Sequence, residues 1–153
     1  MEIIRVTERN ICEAGRIHAE SWRESHRDFC TAEFIARHTE KAQTEYIRDE
    51  IAKGKVFYML LDGKPVGVVS LQGSLIENLY VLPDEQQKGY GTRLLREMIA
   101  QCDGVPTLWV LSNNERANAF YRKHGFRESG KRAQLRSDLH EIEMVLNGEV
   151  CHF

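Results

Sequence analysis

Apolar and polar residues alternate along this chain with two periods, and the change from one to the other marks out the elements. Ile3, Ile4 and Val6 make a short first strand. Thr7 then reads as the cap of a helix, with Asn10 following, and Ile11, Ala14, Ile17 or His18, and Trp22 fall on one helical stripe while Glu13, Arg16, Glu20 and Arg23 face out. His18, inside that stripe, reads as a core histidine with a satisfied hydrogen bond. The stretch Trp22 to Phe29 breaks the pattern. Thr31 caps a second helical region that runs, with an irregularity near His38, to about Lys53 and stops at Gly54.

From there the period is two. Val56 to Leu61 and Pro65 to Leu71 are joined by Asp62-Gly63, a strong hairpin signal, and a third strand, Leu75 to Leu82, follows through Gln72-Gly73. A helix from Gly91 to about Cys102 carries Leu94, Leu95, Met98 and Ile99 on one face. The run Thr107 to Leu111 predicts a buried strand parallel to 75–82, reached by a right-handed crossover. Asn114 caps a helix from Glu115 to Lys123, and Phe126 to Leu135 with Leu139 to Leu146 form a final hairpin, the latter alternating through Leu139, Glu141, Glu143 and Val145. The order predicts an α/β fold: a mixed, mostly antiparallel central sheet of about seven strands with helices on both faces.

One loop stands out. Gln86-Gln87-Lys88-Gly89-Tyr90-Gly91-Thr92 joins a strand to a helix N-terminus. Glycines there allow a sharp turn, and the first amides of a helix have no intrahelical partner and lie at the positive end of its dipole. That suits a phosphate or pyrophosphate. In α/β sheets ligands bind at the C-terminal ends of strands, where the next helix of the chain also begins. Asn113, Asn114 and Tyr121 are therefore expected to face the same crevice, with Asn114, Ala117 and Tyr121 on one helical face by their spacing.

At 153 residues the chain predicts a single domain spanning 1–153. A net charge of −2 offers no basic field for nucleic acid. Early charges at Glu2, Arg5, Glu8 and Arg9 argue against a signal peptide, and no apolar run reaches membrane-spanning length, so a cytoplasmic location and no membrane partner are expected. The four cysteines, Cys12, Cys30, Cys102 and Cys151, show no metal-ligand spacing with the histidines; reduced thiols, some buried, and no metal are expected. An exposed edge at the last strand would allow a homodimer.

Gln86-x-x-Gly89-x-Gly91 resembles the (Arg/Gln)-x-x-Gly-x-(Gly/Ala) signature of the GCN5-related N-acetyltransferases. Leu79-Tyr80-Val81 with Pro83 looks like that family's preceding strand. The segment from Asn114 through Ala117, Phe120 and Tyr121 to Gly125-Phe126 looks like its N-x-x-A-x-x-F-Y-x-x-x-G-F run, and Ile17 to Trp22 is similar to a segment of small single-domain members. The two main motifs stand at family spacing.

The resemblance implies an acetyl-coenzyme A-dependent N-acetyltransferase acting on a primary amine of a small molecule or peptide. Gln87 to Thr92, that is Gln87, Lys88, Gly89, Tyr90, Gly91 and Thr92, would cradle the pyrophosphate, with Lys88 and Arg93 adding charge. Leu79, Tyr80 and Val81 would pair with the pantetheine arm, the Val81 amide also facing the thioester oxygen, and Asn114 and Ala117 would lie against that arm. Tyr121 is similar to the family's phenol that protonates the leaving thiolate. For the base, family members place a carboxylate at the equivalent of Leu75 or Glu77; here Leu75 is apolar, which leaves Glu77. Enzymes acting on protein N-termini can carry a glutamate where this chain has Trp109. The family's acceptor wall falls on Trp22, His26 and Phe29 and on the turn from Arg132 to Asp138, where Lys131, Arg132 and Arg136 form a basic cluster. The rival readings are a transferase of longer acyl groups, a non-catalytic acyl-coenzyme A sensor and a nucleotide-phosphate binder.

Overall fold

The computed structural model describes residues 1–28 and 30–146. Seven strands run in the order β1-β2-β3-β4-β5-β7-β6. They are β1 (Glu2–Arg5), β2 (Val56–Leu61), β3 (Pro65–Gln72), β4 (Leu75–Val81), β5 (Thr107–Leu111), β6 (Phe126–Arg136) and β7 (Leu139–Leu146). The helices are α1 (Ile11–His26), α2 (Ala32–Ala36), α3 (Glu40–Ala52), α4 (Tyr90–Gln101) and α5 (Glu115–Lys123). The pairing of β4 with β5 is parallel, through Leu75 and Thr107, while β1–β2, β2–β3, β5–β7 and β6–β7 are antiparallel. The mixed sheet expected from the pattern is therefore present.

The chain divides into two compact units. The first comprises Met1–Gln72 and Asn78–Ala100; the second comprises Gly73–Glu77 and the chain from Gln101 on. In the first, β3 is buried from Val66 to Leu71, as a central strand must be. Its core gathers Val6, Ile11, Ala14, Ile17, Ile47, Phe57, Met59, Val68 and Leu82. In the second, the antiparallel register sets Leu108 opposite Met144 and Val110 opposite Ile142, all four buried.

Four expectations need correction. First, Thr7 does not cap α1: Asn10 is the flanking residue, and its Oδ1 accepts from the Thr7 amide at 2.8 Å, so residues 8–10 form a turn. Secondly, α1 continues through Trp22 to His26, and the second helical region is two helices. Thr39 caps α3 by accepting from the Ala42 amide at 3.1 Å, so the irregularity near His38 is a full break. Thirdly, the last strand is not an edge. β7 lies between β5 and β6, leaving β6 outside. Among the cysteines described, Cys12 is exposed and Cys30 and Cys102 are half-buried, so none is the buried thiol expected; Cys151 lies outside the described residues.

Candidate active site

In the first unit the glycine loop is shaped by two left-handed residues, Gln87 at φ 68° and Gly89 at φ 87°. Glutamine adopts that conformation at a cost that glycine escapes. A Cβ built on Gly89 would meet nothing within 4 Å, so the outer side of the turn is open. The Arg93 amide donates to the Gly89 carbonyl at 3.1 Å, closing the first turn of α4, and the amides that open the helix precede that bond. Gln86 is tied to the end of β4, its Nε2 donating to the Val81 carbonyl at 3.1 Å.

Side chains around the loop are already engaged. Lys88 donates to Glu85 at 3.0 Å, and Lys64 reaches the same carboxylate at 2.9 Å. Glu85 is 7% exposed, and the Lys64 and Lys88 ammonium groups hold its carboxyl below the usual carboxylate range. The Tyr90 hydroxyl donates to Asp62 at 2.5 Å, fastening the start of α4 to the β2–β3 turn. Arg93 pairs with Glu97 at 3.3 Å. What the loop offers outward is its backbone.

In the second unit, Asn114 caps α5, its Oδ1 accepting from the Ala117 amide at 3.1 Å. Asn118, which the motif reading passed over, fixes the turn before it by donating to the Leu111 and Asn114 carbonyls at 3.2 and 2.8 Å. Tyr121 lies edge-on between Phe120 and Phe126, with ring centroids 5.3 and 6.0 Å away. Burial pushes its phenol up to about 12, so it stays protonated at neutral pH.

Glu77 lies in the same unit. Leu75 pairs with Thr107, Trp109 with Glu143 and Leu111 with Glu141. Paired residues share a face, as do residues two apart, so Glu77, Trp109, Glu141 and Glu143 project from one side. Ser129 donates to Glu143 at 2.7 Å. Burial, and after it the charge of Glu77, raises the Glu141 carboxyl. Glu141 was visible only as a member of an alternating strand; its relation to Glu77 needs the strand order, which puts β7 next to β5.

β4 does not alternate regularly along its whole length. Asn78 has φ 56°, and a left-handed residue interrupts the alternation. Trp22 stacks on His26 (4.0 Å, 9°) and on His38 (3.5 Å, 10°). Two parallel rings this close must lie on opposite sides, so both indole faces are covered and only its edge is left to line a slot. Phe29 lies outside the described residues. Arg132 contacts His140 at 2.7 Å and Glu128 at 3.7 Å, and Arg136 pairs with Asp138 at 3.0 Å, which offsets most of the basic cluster.

Among the described residues, no group of three or more His, Cys, Asp or Glu could hold a metal ion, and no helix is long and apolar enough to cross a membrane. Residues 52–128 match the model of the acetyltransferase (GNAT) domain. The chain is 27% identical over 102 residues to the peptidyl-lysine N-acetyltransferase YjaB of Salmonella typhimurium, covering 66% of this chain and 70% of that protein. The solution structure of apo YjaB from Escherichia coli superposes with a TM-score of 0.70 at 22% identity, covering 95% of this chain and 96% of the other. The PaiA N-acetyltransferase of Thermoplasma acidophilum, in complex with coenzyme A, gives 0.68 at 20% identity, with 93% and 96% covered. The matched domain takes in the glycine loop and α5 together, and with it this chain belongs to the GCN5-related N-acetyltransferase family and is an N-acetyltransferase.

Proposed function

We propose that this protein is a single acetyltransferase domain, working in the cytoplasm, that moves an acetyl group from acetyl-coenzyme A to a primary amine of a small molecule or peptide. Transfer is by direct attack in a ternary complex. The observation that carries the reading is the left-handed turn at Gln87 and Gly89, open on its outer side, at the start of α4. Backbone amides at a helix N-terminus suit a pyrophosphate, and the engaged state of Lys88 leaves the amides as the main binding groups. The lysine acceptor named for the YjaB relative supports an amine acceptor here.

An alkylammonium of pKa about 10.4 must lose a proton before it can attack. Glu77, directly or through water, takes it. The amine nitrogen then bonds to the thioester carbon, the Val81 amide holds the oxyanion, and the carbon–sulfur bond breaks. Tyr121 gives its proton to the departing thiolate. That role is assigned by family resemblance, and the protonated phenol supports it.

The test is thermal denaturation with acetyl-coenzyme A, coenzyme A, ATP and NAD, beside a Gly89→Asp variant. A ligand at about 100 times its Kd adds about 2.7 kcal/mol, or about 2–4 °C for a chain of this size. Acetyl-coenzyme A should shift the wild type and leave the variant unmoved. A shift by ATP or NAD alone would overturn the reading.

A further inference from the structure

Several buried polar side chains of the first unit take no part in the transfer just described, and they converge on one imidazole. His18 is 2% exposed. Gln43 Nε2, from α3, donates to His18 Nδ1 at 2.8 Å. The remaining nitrogen, Nε2, must then carry the ring proton, and it donates to Asn78 Oδ1 at 3.0 Å. Asn78 Nδ2 donates onward to Ser70 Oγ on β3 at 3.0 Å, and the Tyr46 hydroxyl approaches Asn78 Oδ1 at 3.4 Å. The Tyr80 ring stands edge-on to the imidazole at 4.8 Å. Every donor and acceptor in the chain from Gln43 to Ser70 is matched by type. Helices α1 and α3 can meet this closely because position 15 is glycine: a Cβ there would lie 2.0 Å from Thr44 Oγ1.

The end point of the chain is the residue that bends β4. Asn78 has φ 56°, between Glu77 and the Leu79–Val81 stretch. Asparagine tolerates the left-handed region better than most residues, yet it reaches extended backbone just as readily. Here its side-chain amide is held at both ends, and a return to regular strand would strand two buried partners, His18 and Ser70. Leaving a buried donor or acceptor unpaired costs about 1–3 kcal/mol for each group. The network thus decides between two backbone states of one residue, and that residue sets the direction of the peptide planes after it.

We propose that His18 is a positioning residue for the acetyl transfer: through Asn78 it holds the left-handed turn in β4 that aims the backbone of Leu79, Tyr80 and Val81 at the acyl donor. This rests on the proposed function. Burial lowers the imidazole to about 4, so the ring is neutral at working pH and keeps the tautomer that the network needs.

Three variants test it: His18→Leu, Gln43→Leu and the double His18→Leu/Asn78→Gly. Two quantities are read, kcat/KM for acetyl-coenzyme A and hydrogen exchange of the amides from 78 to 82. His18→Leu should lower kcat/KM about tenfold or more and speed exchange in that stretch; Gln43→Leu should do the same about threefold. Glycine at 78 takes the left-handed conformation with no side-chain amide to satisfy, so the double variant should recover most of the activity and the slow exchange. A histidine that only filled space would give no such recovery, because glycine restores none of the lost packing. Unchanged kcat/KM in both single variants, or a double no better than its parent, overturns the proposal. Should His18→Leu fail to fold, Gln43→Leu with and without Asn78→Gly decides in the same way. A wild type that neither binds nor turns over acetyl-coenzyme A refutes the proposed function instead, and the exchange arm still reads whether His18 holds the turn.

Discussion

The two units treat their ionisable groups in opposite ways. Around His18, burial comes with a full set of hydrogen-bond partners, and the imidazole is kept neutral. Around Glu141, partial burial comes with a like charge at Glu77, and the carboxyl is driven toward its protonated form. The first arrangement fixes a conformation and resists a proton. The second makes a group readier to take one. In the proposed function, the first unit holds shape and the second carries the proton transfers.

Acid should expose that contrast most strongly. An unfolded histidine protonates near about 6.5, whereas His18 in the native protein holds out to about 4. Between those values only the unfolded chain takes up the proton, so His18's contribution is full above about pH 6.5 and disappears as pH falls to about 4. The loss is on the order of 3 kcal/mol. His26, which burial also lowers, acts in the same sense, and the charges of His38 and His26 oppose protonation of His18. Urea denaturation at pH 7, 5.5 and 4.5 measures the slope; a flat profile would break the comparison.

The next largest effect belongs to the second unit. Tyr121→Phe should cut kcat about 100-fold while coenzyme A still stabilises the protein by thermal shift. Equal loss of binding would make Tyr121 a packing residue. Gln43→Leu should then cost about 1–3 kcal/mol in chemical denaturation at neutral pH, since it leaves His18 Nδ1 without its donor.

The smallest expected change has the opposite sign. Glu141 has a folded-state pKa above its unfolded value, so the native state holds the proton more tightly and loses stability as pH rises through that window. Glu141→Gln should therefore stabilise the protein at pH 7 to 8, by less than about 1 kcal/mol for a half-exposed group. Urea denaturation at pH 7.5 measures the gain, and a destabilised variant would detach Glu141 from Glu77.

Much of this was legible in the chain. Strand 107–111 and helix 115–123 carry their boundaries in Pro106, Asn114 and Gly125, and both lie where the periodicity put them. The satisfied core histidine expected at position 18 is present, because an imidazole on an apolar helical stripe has few other fates. Its partners were not legible. Residues 43, 70 and 78 are far from 18 in sequence, and only the packing of α1 on α3 and the ordering of β3 beside β4 brings them together. The turn at Asn78 was hidden for the same reason. An asparagine within an apolar run looks like an ordinary strand residue until something holds its side chain. The surroundings of Trp22 were equally hidden: aromatic composition near a proposed acceptor wall said nothing about the two imidazoles that cover it.

The strand order has a consequence for how the protein lives at high concentration. β6 stands outside β7, and its residues from Arg127 to Lys131 are exposed. Its pairing with β7 shifts register between Glu128 and Arg132, and Gly130 sits there at φ 102°. Cationic side chains are spaced along the same margin. A border that is bent in the middle and charged along its length is a poor template for a strand from another molecule. Crowded copies of this protein are thereby discouraged from zipping together along that side.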